Sequence, residues 1–102
     1  MFNLFKKNKK KEYKFNEPEN TACFTCEHIF NGERNILFVT HEVEGDWQFL
    51  CGQEDHTSKD IKIISLKQVT EIDESVNYLY EMPLGIGSER KNIECEWEHF
   101  KL

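Results

Sequence analysis

The chain has 102 residues and a net charge of -6, with 13 Lys and Arg against 19 Asp and Glu. That length suits one domain able to remove about 60–65% of its unfolded surface from water, and no apolar run approaches the ~18 residues that would cross a bilayer. An acidic body repels nucleic-acid phosphates, which excludes a nucleic-acid binder, and it favours a basic protein partner.

The charge is uneven. Met1 to Lys14 carries six lysines and one glutamate, which leaves -11 on the remainder. In this arm Phe2, Leu4 and Phe5 precede the lysines, a pattern that reads first as a solvated, partly disordered terminus and second as one suited to weak contact with an anionic membrane surface. Asn16 to Asn20, with Pro18, reads as a linker. The expected division is therefore a basic arm and linker over 1–20 and a single acidic domain over 21–102. No basic segment leads into an apolar block and a cleavage site, so a cytoplasmic protein is expected, its four cysteines present as thiols or metal ligands.

From Thr21 the pattern turns globular. TACFTCEHIF reads as a short strand followed by a turn of helix, and Asn31-Gly32 is the first turn signal. Ile36, Leu37, Phe38 and Val39 form a β-rich run, Glu44-Gly45-Asp46 turns the chain, and WQFLC returns as the second strand of an antiparallel hairpin. IKIISL is a third strand that runs into a helical pattern on Leu66, Val69 and Ile72. A further short helix spans Asp73 to Met82, with Val76, Leu79 and Tyr80 on one face and Pro83 beyond its end. Leu84 to Gly87 is a turn. In SERKNIECEWEHF, Ile93, Cys95, Trp97 and His99 alternate with acids, the period of a half-buried strand. The predicted class is α+β, an antiparallel sheet of four to five strands with one or two short helices packed on one face.

Several chemistries can be weighed against this frame. Cys23, Cys26, Cys51 and His56 offer zinc three thiolates and an imidazole, with His28 and His41 as spare ligands. Against that set, Cys23 and Cys26 are three apart and point to opposite faces of an extended strand, and four buried thiols would serve equally as core residues. A cysteine nucleophile needs a histidine beside it, and the hairpin makes Cys51 with His41 the one candidate pair. LGIGSER lacks the lysine of a phosphate-cradling loop. Glu54, Asp55, His56 and Asp60 lack the alternate spacing of a calcium loop. These acids read better as a solvated patch that joins Glu42, Glu44 and Asp46 at one end of the sheet. Trp47 has two open places, in the core or at the edge of that patch as a binding anchor.

The segment GDWQFLCGQED, with IISL entering a helix, D-x-S-V-x-x-L and MPLGIGSER, resembles a family of small bacterial proteins typified by a D-S-G-W-R-F-x-S-G-D-E-D segment. Gly45, Trp47, Phe49, Gly52, Glu54 and Asp55 match that segment, and Pro83, Gly85 and Arg90 match the later turn and strand. Cys51 stands where the family has serine, which counts against zinc because a ligand that a relative lacks is not a shared structural site, and the hairpin tip is shorter. Members have been proposed as immunity proteins of polymorphic toxin systems, and the family carries no established catalytic residues. The acidic patch leads to a non-enzymatic binding protein without cofactor that engages a basic protein through Glu42, Glu44, Asp46, Trp47, Glu54 and Asp55, and the resemblance implies that this partner is a toxin domain. The rival is a zinc-stabilised module on Cys23, Cys26, Cys51 and His56.

Overall fold

A computed structural model of the chain describes residues 12–53 and 58–102, so the expectations placed on Phe2, Leu4, Phe5, Glu54, Asp55 and His56 lie outside the described residues. The fold is α+β. In chain order, β1 (Ala22–Cys26) runs directly into the single helical turn α1 (Glu27–Phe30). The hairpin β2 (Phe38–His41) and β3 (Trp47–Leu50) follows, then β4 (Ile61–Ser65), α2 (Leu66–Ile72), a 3₁₀ segment (Glu74–Leu79), β5 (Ile86–Glu89) and β6 (Glu98–Lys101).

The six strands lie in the order β4-β1-β3-β2-β5-β6. The antiparallel sheet of four to five strands is corrected on both counts. β1 slots in beside β3 rather than β2 and pairs with it in parallel, Phe24 opposite Gln48 and Thr25 opposite Phe49, while the other neighbours are antiparallel. The extra strand comes from the segment expected as one half-buried strand from Ser88, and β5 already begins at Ile86, within the stretch expected as a turn over Leu84 to Gly87. There Arg90 turns inward, residues 91–96 are exposed, and Asn92 closes a turn by accepting from Glu94 N through Oδ1 at 2.8 Å. The alternation of Ile93, Cys95 and Trp97 is therefore that of a loop, and pairing resumes only at Glu98. Gly87 shows why β5 carries no side chain at its centre: a Cβ there would sit 2.5 Å from the Phe100 ring of β6.

Local chemistry explains the helices. Ser65 accepts from Gln68 N at 3.1 Å while Gln68 Oε1 accepts from Ser65 N at 2.9 Å, a reciprocal cap on α2 that contributes about 1 kcal/mol. Asp73 starts the 3₁₀ segment by accepting from Ser75 N at 3.0 Å.

Because side chains alternate across a strand, one face of the sheet collects Cys23, Thr25, Val39, Trp47, Phe49, Ile64 and Ser88, all buried. Leu66, Val69, Val76, Leu79 and Met82 complete this core from the helical side. The other face holds Phe24, Phe38, Leu50 and Phe100 half-buried, and Ile63 on the edge strand is 66% exposed. Helices thus cover one face, as the sequence predicts.

The stretch just before β1 is packed. Phe15 is buried with its ring edge-on to Trp47 at 5.0 Å, and Tyr13 donates its hydroxyl to the Glu17 carbonyl at 2.7 Å. Residues 12–17, read in the sequence as arm and linker, lie against the core because Phe15 fills the space over Trp47 and Phe49. No helix of the described residues is long and apolar enough to cross a membrane.

Candidate functional site

The parallel pairing of β1 with β3 sorts the chemistry to the two ends of these strands. At the tip end, residues 42–46 join β2 to β3. Glu42 N donates to the Asp46 carbonyl and Gly45 N to the Glu42 carbonyl, both at 2.8 Å, so the turn is internally bonded. Glu44 and Asp46 are exposed and Glu42 is half-buried. Since β1 runs parallel to β3, the chain leading into β1 reaches the same end and brings Glu17 and Glu19 with it.

Of the two places open to Trp47, it takes the core. It is 2% exposed, so it offers a partner no anchor at the surface. Its indole stacks on His41 with centroids 3.8 Å apart, and Nε1 donates to Glu17 Oε2 at 2.9 Å. His41 Nδ1–H donates to the Met82 carbonyl at 2.7 Å, since a carbonyl only accepts, and this turns Nε2 toward Glu17 Oε2 at 3.9 Å. Trp47 thus serves as the base on which the acidic tip stands. The same burial pushes the Tyr13 phenol up to about 12, helped by the nearby carboxylates of Glu17 and Glu19.

Of the acids that the sequence groups together, Glu54 and Asp55 lie outside the described residues. β3 carries the chain away from the tip, and Gly52, at φ +81°, turns it out at the opposite end. This strand direction rules out the Cys51–His41 nucleophile pair. His41 is opposite Trp47, four residues before Cys51, which is roughly 13 Å along an extended strand.

At the other end the strand termini bring Cys26, the last residue of β1, beside Cys51, the first after β3. His28 lies in the turn of helix that starts right after Cys26. The ligand atoms of Cys26, His28 and Cys51 all lie within 4.8 Å of one another, and both cysteines are buried. Arg34 joins them: its Nη1 donates to Cys51 Sγ at 3.5 Å and to His28 Nδ1 at 3.4 Å. Glu33 N and Arg34 N both donate to the His28 carbonyl, which closes the loop that delivers the guanidinium. Thr25 Oγ1 donates to the Phe49 carbonyl at 2.7 Å and locks the two strands together. Burial pushes the Cys26 thiol up, and backbone N–H groups of Ile29 and Cys51 oppose it.

This is not the zinc quartet drawn from the sequence. Cys23 lies outside the group, and burial pushes its thiol up to about 12. His56 is outside the described residues, and the imidazole that arrives is His28, named in the sequence as a spare ligand. Arg34 carried no signal in the sequence, because its role depends on the loop that folds it back. Arg90 was visible only through the family resemblance. It is 8% exposed, donates from Nε and Nη2 to the Ile36 carbonyl at 3.1 and 2.9 Å, pairs with Asp73 at 2.7 Å, and lies 4.1 Å above the Trp97 ring. It acts as a clamp between the start of β2, the 3₁₀ segment and the 91–97 loop.

Comparison with family models, curated proteins and solved structures finds no match to this chain.

Proposed function

We propose that this protein is a non-enzymatic binder that engages and blocks a basic protein partner, in the manner of an immunity protein, through the acidic tip end of its sheet. The observation that carries the reading is the placement of Glu42, Glu44 and Asp46 on an internally bonded turn, rooted in buried Trp47, with Glu17 and Glu19 arriving at the same end. A rooted turn loses little conformational freedom on binding, and like-signed carboxylates raise the rate of encounter with a cationic surface. The resemblance of GDWQFLCGQED to proteins proposed as toxin antagonists points the same way.

The test is capture of partners from cell extract by the wild-type chain and by a Glu42→Lys, Glu44→Lys, Asp46→Lys variant. A basic protein should be retained by wild type at low salt, released as ionic strength rises, and lost from the variant. The variant should unfold within about 1 kcal/mol of wild type, because two of the altered positions are exposed and the third, Glu42, is half-buried. Equal retention by both chains overturns the reading.

A further inference from the structure

We propose that Cys26, His28 and Cys51 form a site for one soft divalent cation of the zinc type, with the fourth position filled by a ligand other than Cys23. This site is independent of the acidic tip, which lies at the opposite end of β3.

The geometry is close to what the ion requires. Tetrahedral zinc with Zn–S of about 2.3 Å and Zn–N of about 2.0 Å sets its ligand atoms ~3.8 Å (S to S) and ~3.5 Å (S to N) apart. The three ligand atoms here already lie within 4.8 Å of one another, so closure onto an ion takes shifts on the order of an ångström. They come from the end of β1, the first turn of α1 and the residue after β3, so a cation would tie three elements whose mutual placement the backbone has already set. Two thiolates neutralise a dication, and Arg34 Nη1, 3.5 Å from Cys51 Sγ, supplies an outer N–H donor to a ligating sulfur.

Ligation would remove the proton shared in the Cys26–Cys51 side-chain contact and would also displace the contact of Arg34 with His28. Arg34 can only donate, so His28 Nδ1 now accepts from it at 3.4 Å. If Nδ1 ligates, the metal takes that lone pair; if Nε2 ligates, Nδ1 carries the ring proton and no longer accepts. Either way the contact is given up, and at 3.4 Å it is a long, weak one. Cys51 stands where the resembling family has serine, so the site belongs to this chain and not to that family.

The experiment titrates the reduced, full-length protein with Co(II) and Zn(II), reading cobalt–thiolate absorption and the native mass. Wild type, Cys23→Ser and Cys95→Ser should each take up one metal with thiolate charge-transfer and tetrahedral cobalt bands. Cys51→Ser and Cys26→Ser, each left with one thiolate, should bind more weakly and show at most about half of the thiolate band, and His28→Gln should bind about tenfold or more weakly. Far-UV circular dichroism checks that each variant folds. Independently of any variant, zinc should raise the wild-type melting temperature and a chelator should return it. No metal in the reduced wild type at micromolar zinc overturns the proposal, as does binding lost with Cys23 or Cys95 instead. Loss of two hydrogens in air, with no metal bound by the reduced form, overturns it too and makes Cys26 and Cys51 a redox pair.

Discussion

β1 carries two buried cysteines, and their surroundings are opposite in kind. Cys23, near the tip end, lies among apolar side chains on the helix-covered face and has no place in a ligand group. Cys26, three residues on, meets Cys51 and His28, which Arg34 bridges. The same contrast separates the two ends of the sheet as a whole. The tip end places charge outside and an aromatic stack inside, whereas the other end brings polar and sulfur groups inward, with Arg90 pinned beside the start of β2. Burial of a reactive residue is therefore no guide to its role; what matters is which groups the strand termini bring to it.

The most severe way to break this picture is at Arg90. Arg90→Ala strands the buried Ile36 carbonyl and leaves the Asp73 carboxylate with only its bonds from Ser75. Removing one partner of a buried pair costs roughly 3–5 kcal/mol, a large share of the ~5–15 kcal/mol that holds a domain. Urea unfolding should show a midpoint shift of that size; a loss under about 1 kcal/mol would mean that this end is not held by the clamp.

At the tip end the effect should be smaller. Trp47→Phe keeps an aromatic ring on His41 but removes the indole donor to Glu17, for a loss of about 1–2 kcal/mol. The same variant should weaken partner capture, because Glu17 loses the bond that orients it. Unchanged stability in thermal and urea unfolding would remove Trp47 as the root of the tip.

The mildest effect concerns pH. The Cys23 thiol is raised from 9.0 to about 12 by burial, so the folded chain holds this proton more tightly than the unfolded one. Its contribution to stability is whole below about pH 9 and is lost progressively as pH climbs toward 12. Denaturant midpoints measured from pH 8 to 11 should fall with pH in wild type and fall less steeply in Cys23→Ala. Parallel slopes would show that Cys23 titrates as it does in the unfolded chain.

Much of the local structure was legible. The β2–β3 hairpin, β4 running into α2, and Asp73 at the start of the next helical segment follow from short-range pattern: β-rich runs, a Glu-Gly-Asp turn, and the near-helical spacing of Leu66, Val69 and Ile72. The expectation failed where a short-range period had no structural cause. Ile93, Cys95 and Trp97 alternate like a strand, yet Arg90 is drawn into the core just before them and the chain loops out. Phe15 reads as the end of the basic arm because it stands among lysines and acids, and only the space over Trp47 and Phe49 gives it a place.

Composition and periodicity determined the acidic body, the fold class and the opposition of Cys23 to Cys26, since each depends on charge count or on the two-residue repeat of a strand. Tertiary structure decided the rest. Inserting β1 in parallel beside β3 is a long-range choice made by core packing, and no local signal encodes it. That one pairing gathers Glu17 and Glu19 behind the acidic turn, separates His41 from Cys51, and sets Cys26 and Cys51 side by side, because parallel strands end together.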